Sequence, residues 1–225
     1  MSLIDRSRFV ARLSGVIAVS LLSVAQASAA VVAASNCLPP IGPHFKYVGD
    51  NHINFQMPGL VVDLSNVVHA GFTNCLAPPQ SGSQLETFGS SVAFDLSFNG
   101  GPAQPQSAFA TVSVNVLATG TPGVFDTEMV QLDIAGGTLP STVRVRESPT
   151  LQSLGRTTVE DLGGGLYRID SFFDIFTELS VDGGQNWLPA TDPGHVTLTV
   201  PEPGSLALVG LAVAGLAASR RRRAI

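Results

Sequence analysis

Ser91-Val92-Ala93-Phe94-Asp95-Leu96-Ser97-Phe98, followed at once by Asn99-Gly100-Gly101-Pro102, reads as a strand and its turn. Val92, Phe94, Leu96 and Phe98 fall on one side and Ser91, Asp95 and Ser97 on the other. A period of two makes a single apolar face only on extended backbone. The Asn-Gly-Gly-Pro run then supplies residues that tolerate positive φ and one that cannot donate to a ladder, so the chain turns.

The pattern recurs downstream. Val112, Val114 and Val116 alternate with Thr111, Ser113 and Asn115, and Gly120 to Gly123 turn the chain. Val130, Leu132 and Ile134 alternate with Gln131 and Asp133, and Val143 and Val145 with Arg144 and Arg146. Gly163-Gly164-Gly165 breaks the chain before its longest expected strand, Tyr167 to Val181. There Tyr167, Ile169, Phe173, Ile175, Leu179 and Val181 share a face, opposite Arg168, Asp170, Asp174, Glu178 and Ser180. A last strand, Val196 to Val200, runs straight into Pro201. Upstream, Leu60 to Leu64 is a short apolar strand, Val67-Val68 opens another, and Val31 to Pro58 is irregular. No amphipathic helix is evident in residues 30–200. Short alternating strands with Gly/Pro turns predict an all-β fold, an antiparallel β-sandwich of jelly-roll-like type.

Targeting segments flank this domain. Arg6, Arg8 and Arg12 precede an apolar stretch from Leu13 to Val24, and Ala27-Ser28-Ala29 forms an A-x-A site, with Ala25-Gln26-Ala27 as the alternative. Residues 1–29 therefore read as a secretory signal peptide with cleavage at Ala27 or Ala29 and a mature start near Ala30. At the other end stand Pro201-Glu202-Pro203, an uncharged run from Gly204 to Ser219, and Arg220-Arg221-Arg222-Arg223. As a helix the run would span roughly 24 Å at about 1.5 Å per residue, slightly short of the roughly 30 Å hydrocarbon core. The arginines would hold the C-terminus in the cytoplasm. The two prolines keep Val200 and Glu202 extended.

This order of tripeptide, apolar helix and arginine cluster in residues 201–225 resembles the PEP-CTERM sorting signal. The resemblance implies recognition of Pro201, Glu202 and Pro203, and cleavage there, by an exosortase of a Gram-negative bacterium. It also implies export through the secretion translocon with signal peptidase, transient anchoring in the inner membrane, and final residence at the cell surface or outside the cell. Extracellular polysaccharide is the further partner it suggests.

Five of the 12 Lys+Arg and 15 of the 17 Asp+Glu lie in residues 30–200, a net charge near −10. Such a surface, with its one lysine, repels nucleic acid and anionic lipid heads. The two cysteines, Cys37 and Cys75, sit in similar contexts, Ser35-Asn36-Cys37-Leu38-Pro39-Pro40 and Thr73-Asn74-Cys75-Leu76-Ala77-Pro78-Pro79. In an exported chain they read as a disulfide.

Ser180-Val181-Asp182-Gly183-Gly184-Gln185-Asn186-Trp187 resembles the Asp-box of sialidases and related exported β-proteins. Ser180, Asp182, Gly184 and Trp187 match, and Asn186 stands where threonine is usual. The resemblance implies a structural turn. More widely, Arg146-Glu147-Ser148-Pro149-Thr150, Gly164 to Ile169 and Ser171 to Ser180 resemble a family of exported bacterial proteins of unknown function, which implies a β domain and no activity.

His44, His52, His69 and His195 lack metal-ligand spacing, although Asp50 and Asp63 lie near His52 and His69. No metal or cofactor is expected. Asp170, Asp174 and Glu178 stand on one strand face at four-residue steps, roughly 13 Å apart at about 3.3 Å per residue. That is too far for a glycosidase pair. Glu160-Asp161 adds two further acids. No G-x-S-x-G elbow or Cys/His dyad is present. No catalytic residue is assigned, and the domain reads as a non-enzymatic structural or adhesive unit. A carbohydrate-binding module using Trp187, Tyr47, Phe172 and Phe176 is the alternative, and a polysaccharide hydrolase the third reading.

Overall fold

The computed structural model describes residues 30–49 and 51–200. The expected signal peptide with its cleavage site, residues 1–29, and the tail from Pro201 to Ile225 lie outside the described residues. Among the described residues no helix is long and apolar enough to cross a membrane. They form strands β1 (Val31–Ala33), β2 (Lys46–Gly49), β3 (Ile53–Met57), β4 (Leu60–Ala70), β5 (Ser83–Phe98), β6 (Gln104–Ala118) and β7 (Val124–Ala135). There follow β8 (Arg144–Glu147), β9 (Ser153–Gly163), β10 (Leu166–Ile175), β11 (Thr177–Ser180), β12 (Leu188–Pro189) and β13 (Gly194–Thr199).

Following hydrogen-bonded neighbours from β10 through β13, β2, β4, β5, β6, β7 and β9 leads back to β10, so the antiparallel sheet closes as an 8-strand barrel. The all-β, antiparallel expectation is met. The jelly-roll-like sandwich is corrected to a barrel, and the strand responsible is β9. It pairs β10 along one edge and β7 along the other. Its inward positions are Ser153, Gly155, Thr157 and Val159, which show almost no apolar alternation, so the stretch does not announce itself as a strand.

Hydroxyl groups hold the seam inside. Tyr47 Oη donates to Ser171 Oγ at 2.9 Å, and Thr157 Oγ1 lies 2.8 Å from the same oxygen. Ser153 Oγ accepts the N–H of Phe176 at 3.0 Å and donates to Glu147 Oε1 at 3.2 Å. Gly155 has no room for a side chain. A Cβ there would stand 2.2 Å from the Phe172 carbonyl oxygen and 2.8 Å from both Phe173 Cδ1 and Thr127 Oγ1.

The core follows the alternation of the long strands. Val112, Val114 and Val116 are buried, as are Val92, Phe94 and Leu96. Phe98 and Val130 are exposed instead. Phe98 ends its strand at the turn, and Val130 is turned out by a register shift opposite Ser113 and Val114. Tyr167 to Val181 is two strands, because the chain changes partners at Phe176: β10 pairs β9 and β13, whereas β11 pairs β8 and β12. The irregular N-terminal stretch holds three short strands. A bulge at Asn66, with φ 52°, lets one part of β4 pair β3 and the other pair β2. Beyond the barrel the sheet continues through β8, β11 and β12, and a bridge between Phe55 and Ala190 returns it to β3.

Cys37 and Cys75 form a disulfide with Cα atoms 5.4 Å apart. Beside it Leu38 and Leu76 exchange backbone hydrogen bonds of 2.9 and 3.1 Å. The tied pair places buried Leu38 under one mouth of the barrel, beside Tyr47, Phe72 and Phe88. Closing this 38-residue separation restricts the unfolded chain and stabilises by about 3–4 kcal/mol.

Gly155→Ala should lower the unfolding free energy by about 1–3 kcal/mol, as overpacking a filled interior does. A denaturant melt checks this, and an unchanged midpoint would show that the seam relaxes freely.

Candidate functional site

The sorting tail leaves the domain from a strand that belongs to the barrel wall. β13 lies between β10 and β2 and ends at Thr199. One residue further, the register set by Phe172 opposite Thr197 would bring Val200 to Ile169. That place is taken, because Val31 pairs with Ile169, Val32 with Arg168 and Ala33 with Tyr167. The first strand of the domain thus occupies the ladder positions into which the last would have continued. Both junctions, Ala30 and Val200, come together at Ile169. The recognition residues Pro201, Glu202 and Pro203, the run Gly204 to Ser219 and Arg220 to Arg223 lie outside the described residues.

The second feature is the corner after β11. Asp182 Oδ1 accepts the backbone N–H of Gln185 and of Asn186, each at 3.0 Å, and Oδ2 accepts the Asn186 side-chain amide at 2.6 Å. Ser180 Oγ donates to Asp182 Oδ1 and accepts the N–H of Gly184, both at 2.8 Å. Gly183 and Gly184 have φ of 82° and 98°, which side chains resist. The converging donors, the Asn186 N–H first, hold the Asp182 carboxyl well below the usual range. Trp187 Nε1 donates to the Gly184 carbonyl at 3.1 Å, and the Arg146 guanidinium carbon sits 4.0 Å from the ring centroid. Arg146 also donates twice to Glu178 Oε2, at 2.9 and 2.7 Å. Ser180, Asp182, Gly184 and Trp187 thus lie in one tight turn, and Trp187 borders a cavity of about 270 Å³ with Met57, Leu60, Leu179, Val181, Asp182, Asn186 and Leu188.

The third feature is inside the barrel. Tyr47, Phe72, Phe88 and Phe173 form an edge-to-face cluster, with Tyr47–Phe72 at 5.9 Å and Phe72–Phe88 at 5.7 Å. Around it lie Glu86 and His69, 2% and 6% exposed. Burial pushes the Tyr47 hydroxyl up to about 12, the Glu86 carboxyl up to about 7 and the His69 imidazole down to about 4. His69 Nε2 lies 2.5 Å from Ser90 Oγ. The alternation of β5 continues back from Val92 through Ser90 and Phe88 to Glu86, a signal that could have placed this carboxylate inside.

The remaining acids are dispersed, with one exception. Asp174 pairs with His195 at 2.7 Å, Asp63 with His52 at 2.9 Å, Glu160 with Arg168 at 2.5 Å and Asp126 with Arg156 at 2.9 Å. Phe172 lies beside the His195 ring on the outer face. Glu128 and Glu147, 19 positions apart and unpaired by the sequence reading, line one cleft of about 230 Å³ with Ser148, Thr150 and Gln152. There the Gln152 amide donates to Glu128 Oε1 at 3.2 Å, and burial raises the Glu147 carboxyl. No group of three or more His, Cys, Asp or Glu able to hold a metal is found among the described residues.

Residues 199–223 match the PEP-CTERM protein-sorting motif. No curated protein matches the chain, and no solved structure does. The motif marks an exosortase-targeted, exported bacterial protein with a surface or extracellular destination. The wider resemblance of Arg146 to Trp187 gains nothing from these comparisons.

Glu86 gives a pH signature. A carboxyl whose pKa is raised on folding contributes stability in full below its unfolded value, near 4.5, and loses it as pH rises through about 7. His69 works the other way, its contribution falling as pH drops from 6.5 toward about 4. Glu86→Gln should therefore gain thermal stability over the parent progressively between pH 5 and pH 8. Melting curves across that range check it; a constant difference would mean that Glu86 does not titrate with folding there.

Proposed function

We propose that the chain is an exosortase-processed protein whose barrel serves at the cell surface or in the extracellular polysaccharide matrix as a non-enzymatic structural or adhesive unit. The observation carrying this reading is the junction: the sorting motif begins at residue 199, the last residue of a wall strand. No flexible linker intervenes, so the domain is delivered as one disulfide-tied body. In this reading the tail spans the inner membrane transiently, with its arginines in the cytoplasm. The translocon and signal peptidase act before the exosortase does.

Intact mass in the native host tests it. Loss of residues before about Ala30 and after about Val200, only when the exosortase is present, is expected. An intact tail in the inner membrane in both strains would overturn the reading.

A second reading, a carbohydrate-binding module, is favoured by the cavity beside Trp187. Its volume suits one sugar ring, and Asp182 and Asn186 place polar atoms at an otherwise apolar wall. The Arg146 contact and the Nε1 bond fix the indole, which lowers the entropy lost on stacking a sugar. Trp187→Ala should abolish retention on matrix polysaccharide, at least tenfold in affinity, with the far-ultraviolet spectrum unchanged. Absence of binding by the parent protein would remove this reading. A hydrolase would have to use Glu128 and Glu147, whose hydrogen bonds to Gln152 and Ser153 tie both carboxylates to the protein.

A further inference from the structure

The β9–β10 hairpin stands beside the point where the chain leaves the barrel. Val200 is level with Ile169 on β10. Counted along β10 from Ile169, the tip at Gly164 is five residues further out, about 16 Å at roughly 3.3 Å per residue. Strands of a closed barrel tilt by about 35–45° from its axis, which leaves about 12–13 Å of projection along the axis. The four Cα steps from Val200 across Pro201-Glu202-Pro203 to Gly204 can extend at most about 13–14 Å. The hairpin tip therefore stands about level with the first residue of the apolar run, Gly204, when the spacer is fully extended.

The tip has the chemistry for what it meets there. Leu162-Gly163-Gly164-Gly165-Leu166-Tyr167 carries no charge. Leu162 and Leu166 are 40% and 47% exposed, and Val32, opposite Arg168 on the adjoining strand, is 50% exposed. The three glycines have φ of 80°, 65° and 79° with open space around them, so the tip is narrow and presents the two leucines on either side. The nearest charge is the exposed carboxylate of Asp161, whose Oδ1 accepts the Gly163 N–H at 2.7 Å at the base of the tip; one step further back Glu160 and Arg168 neutralise each other. Lys46, opposite Thr199, makes no ion pair among the described residues, and its stem can lift its ammonium toward phosphate headgroups. A half-buried tyrosine at the base of the tip suits the headgroup level.

We propose that the tip from Leu162 to Tyr167 docks on the phospholipid surface facing the exported domain, beside the point where the tail enters the bilayer. The inference rests on the reading above that Gly204 to Ser219 spans the membrane. Two contacts with the bilayer, tail and hairpin, fix the tilt of the barrel. Pro201 to Pro203 are then presented to a membrane-embedded enzyme in one orientation.

The full chain in vesicles of phosphatidylethanolamine and phosphatidylglycerol with dibrominated acyl chains tests this. Trp187→Phe removes the native tryptophan, Leu166→Trp places a reporter at the tip, and Val61→Trp places one at the far end of β4. Bromine should quench the reporter at position 166 at least twofold and leave that at 61 unchanged. Adding Leu162→Asp should relieve most of the quenching at 166. Unrelieved quenching would mean proximity by tethering alone and overturn the docking contact. An unquenched reporter in a chain that resists carbonate extraction would overturn the contact and leave the anchor standing. If that reporter were instead shielded from acrylamide in proportion to protein concentration, the tip would belong to an interface with a second copy, which also overturns the lipid contact. A chain extracted by carbonate would overturn the contact and the anchor together.

Discussion

The barrel exists because β9 presents small and hydroxylated side chains inward. Closing a sheet of eight strands brings the last strand against an interior already filled from the other side. Phe173, Thr127 and Tyr47 occupy that interior, so the closing strand can carry only groups that fit between them. Gly155 supplies the absence of volume, and Thr157 supplies an oxygen for a chain of hydroxyls that would otherwise be buried without partners.

Closure has a second consequence at the chain ends. A closed barrel leaves no free edge for aggregation, but two wall strands must still admit a beginning and an end. Here they share one ledge on β10. β13 gives up the ladder after Thr199, and β1 takes it up at Ile169. The ladder positions on β10 beyond Thr199 are therefore already occupied where β13 ends, and Pro201, the residue after Val200 in the sequence, has no N–H to give to a ladder. The Cys37–Cys75 link secures the segment that follows β1, so the ledge stays occupied.

Much of this was legible in the residues. The alternation of β5, β6 and β13, the disulfide and the sorting motif could all be read directly, because each signal is local or nearly so. The barrel could not, because the signal for closure is the mutual fit of Gly155, Phe173 and Thr127, three residues on three strands. The break at Phe176 was hidden for a related reason: alternation continues across it while the hydrogen-bonding partners change. Val130 misled because a bulge moves every later residue to the other face without altering the composition of the strand. The Glu128 and Glu147 cleft joins β7 to the loop after β8, a pairing that only topology supplies.

Eight-stranded barrels often carry their ligand inside, and the interior of this one argues against that use. Its cavities are about 30 and 50 Å³, room for water and for little else. The first is bounded by Leu38 and Pro39 from the disulfide-tied segment, by the aromatic cluster and by Thr127, whose hydroxyl finds no protein partner. A sugar ring entering there would have to expel the cluster and break the tie. Glu86 and His69, titratable and buried at that level, then act on the stability of the barrel and have no access to a solute. Recognition is left to the outside, where the chain offers two regions of different character. One is the rigid corner of Asp182 and Trp187, set by side-chain to backbone hydrogen bonds. The other is the uncharged hairpin beside the exit. On the readings proposed above, the corner would meet a matrix after release and the hairpin a membrane before it, so the two regions would divide the life of the protein at the cut.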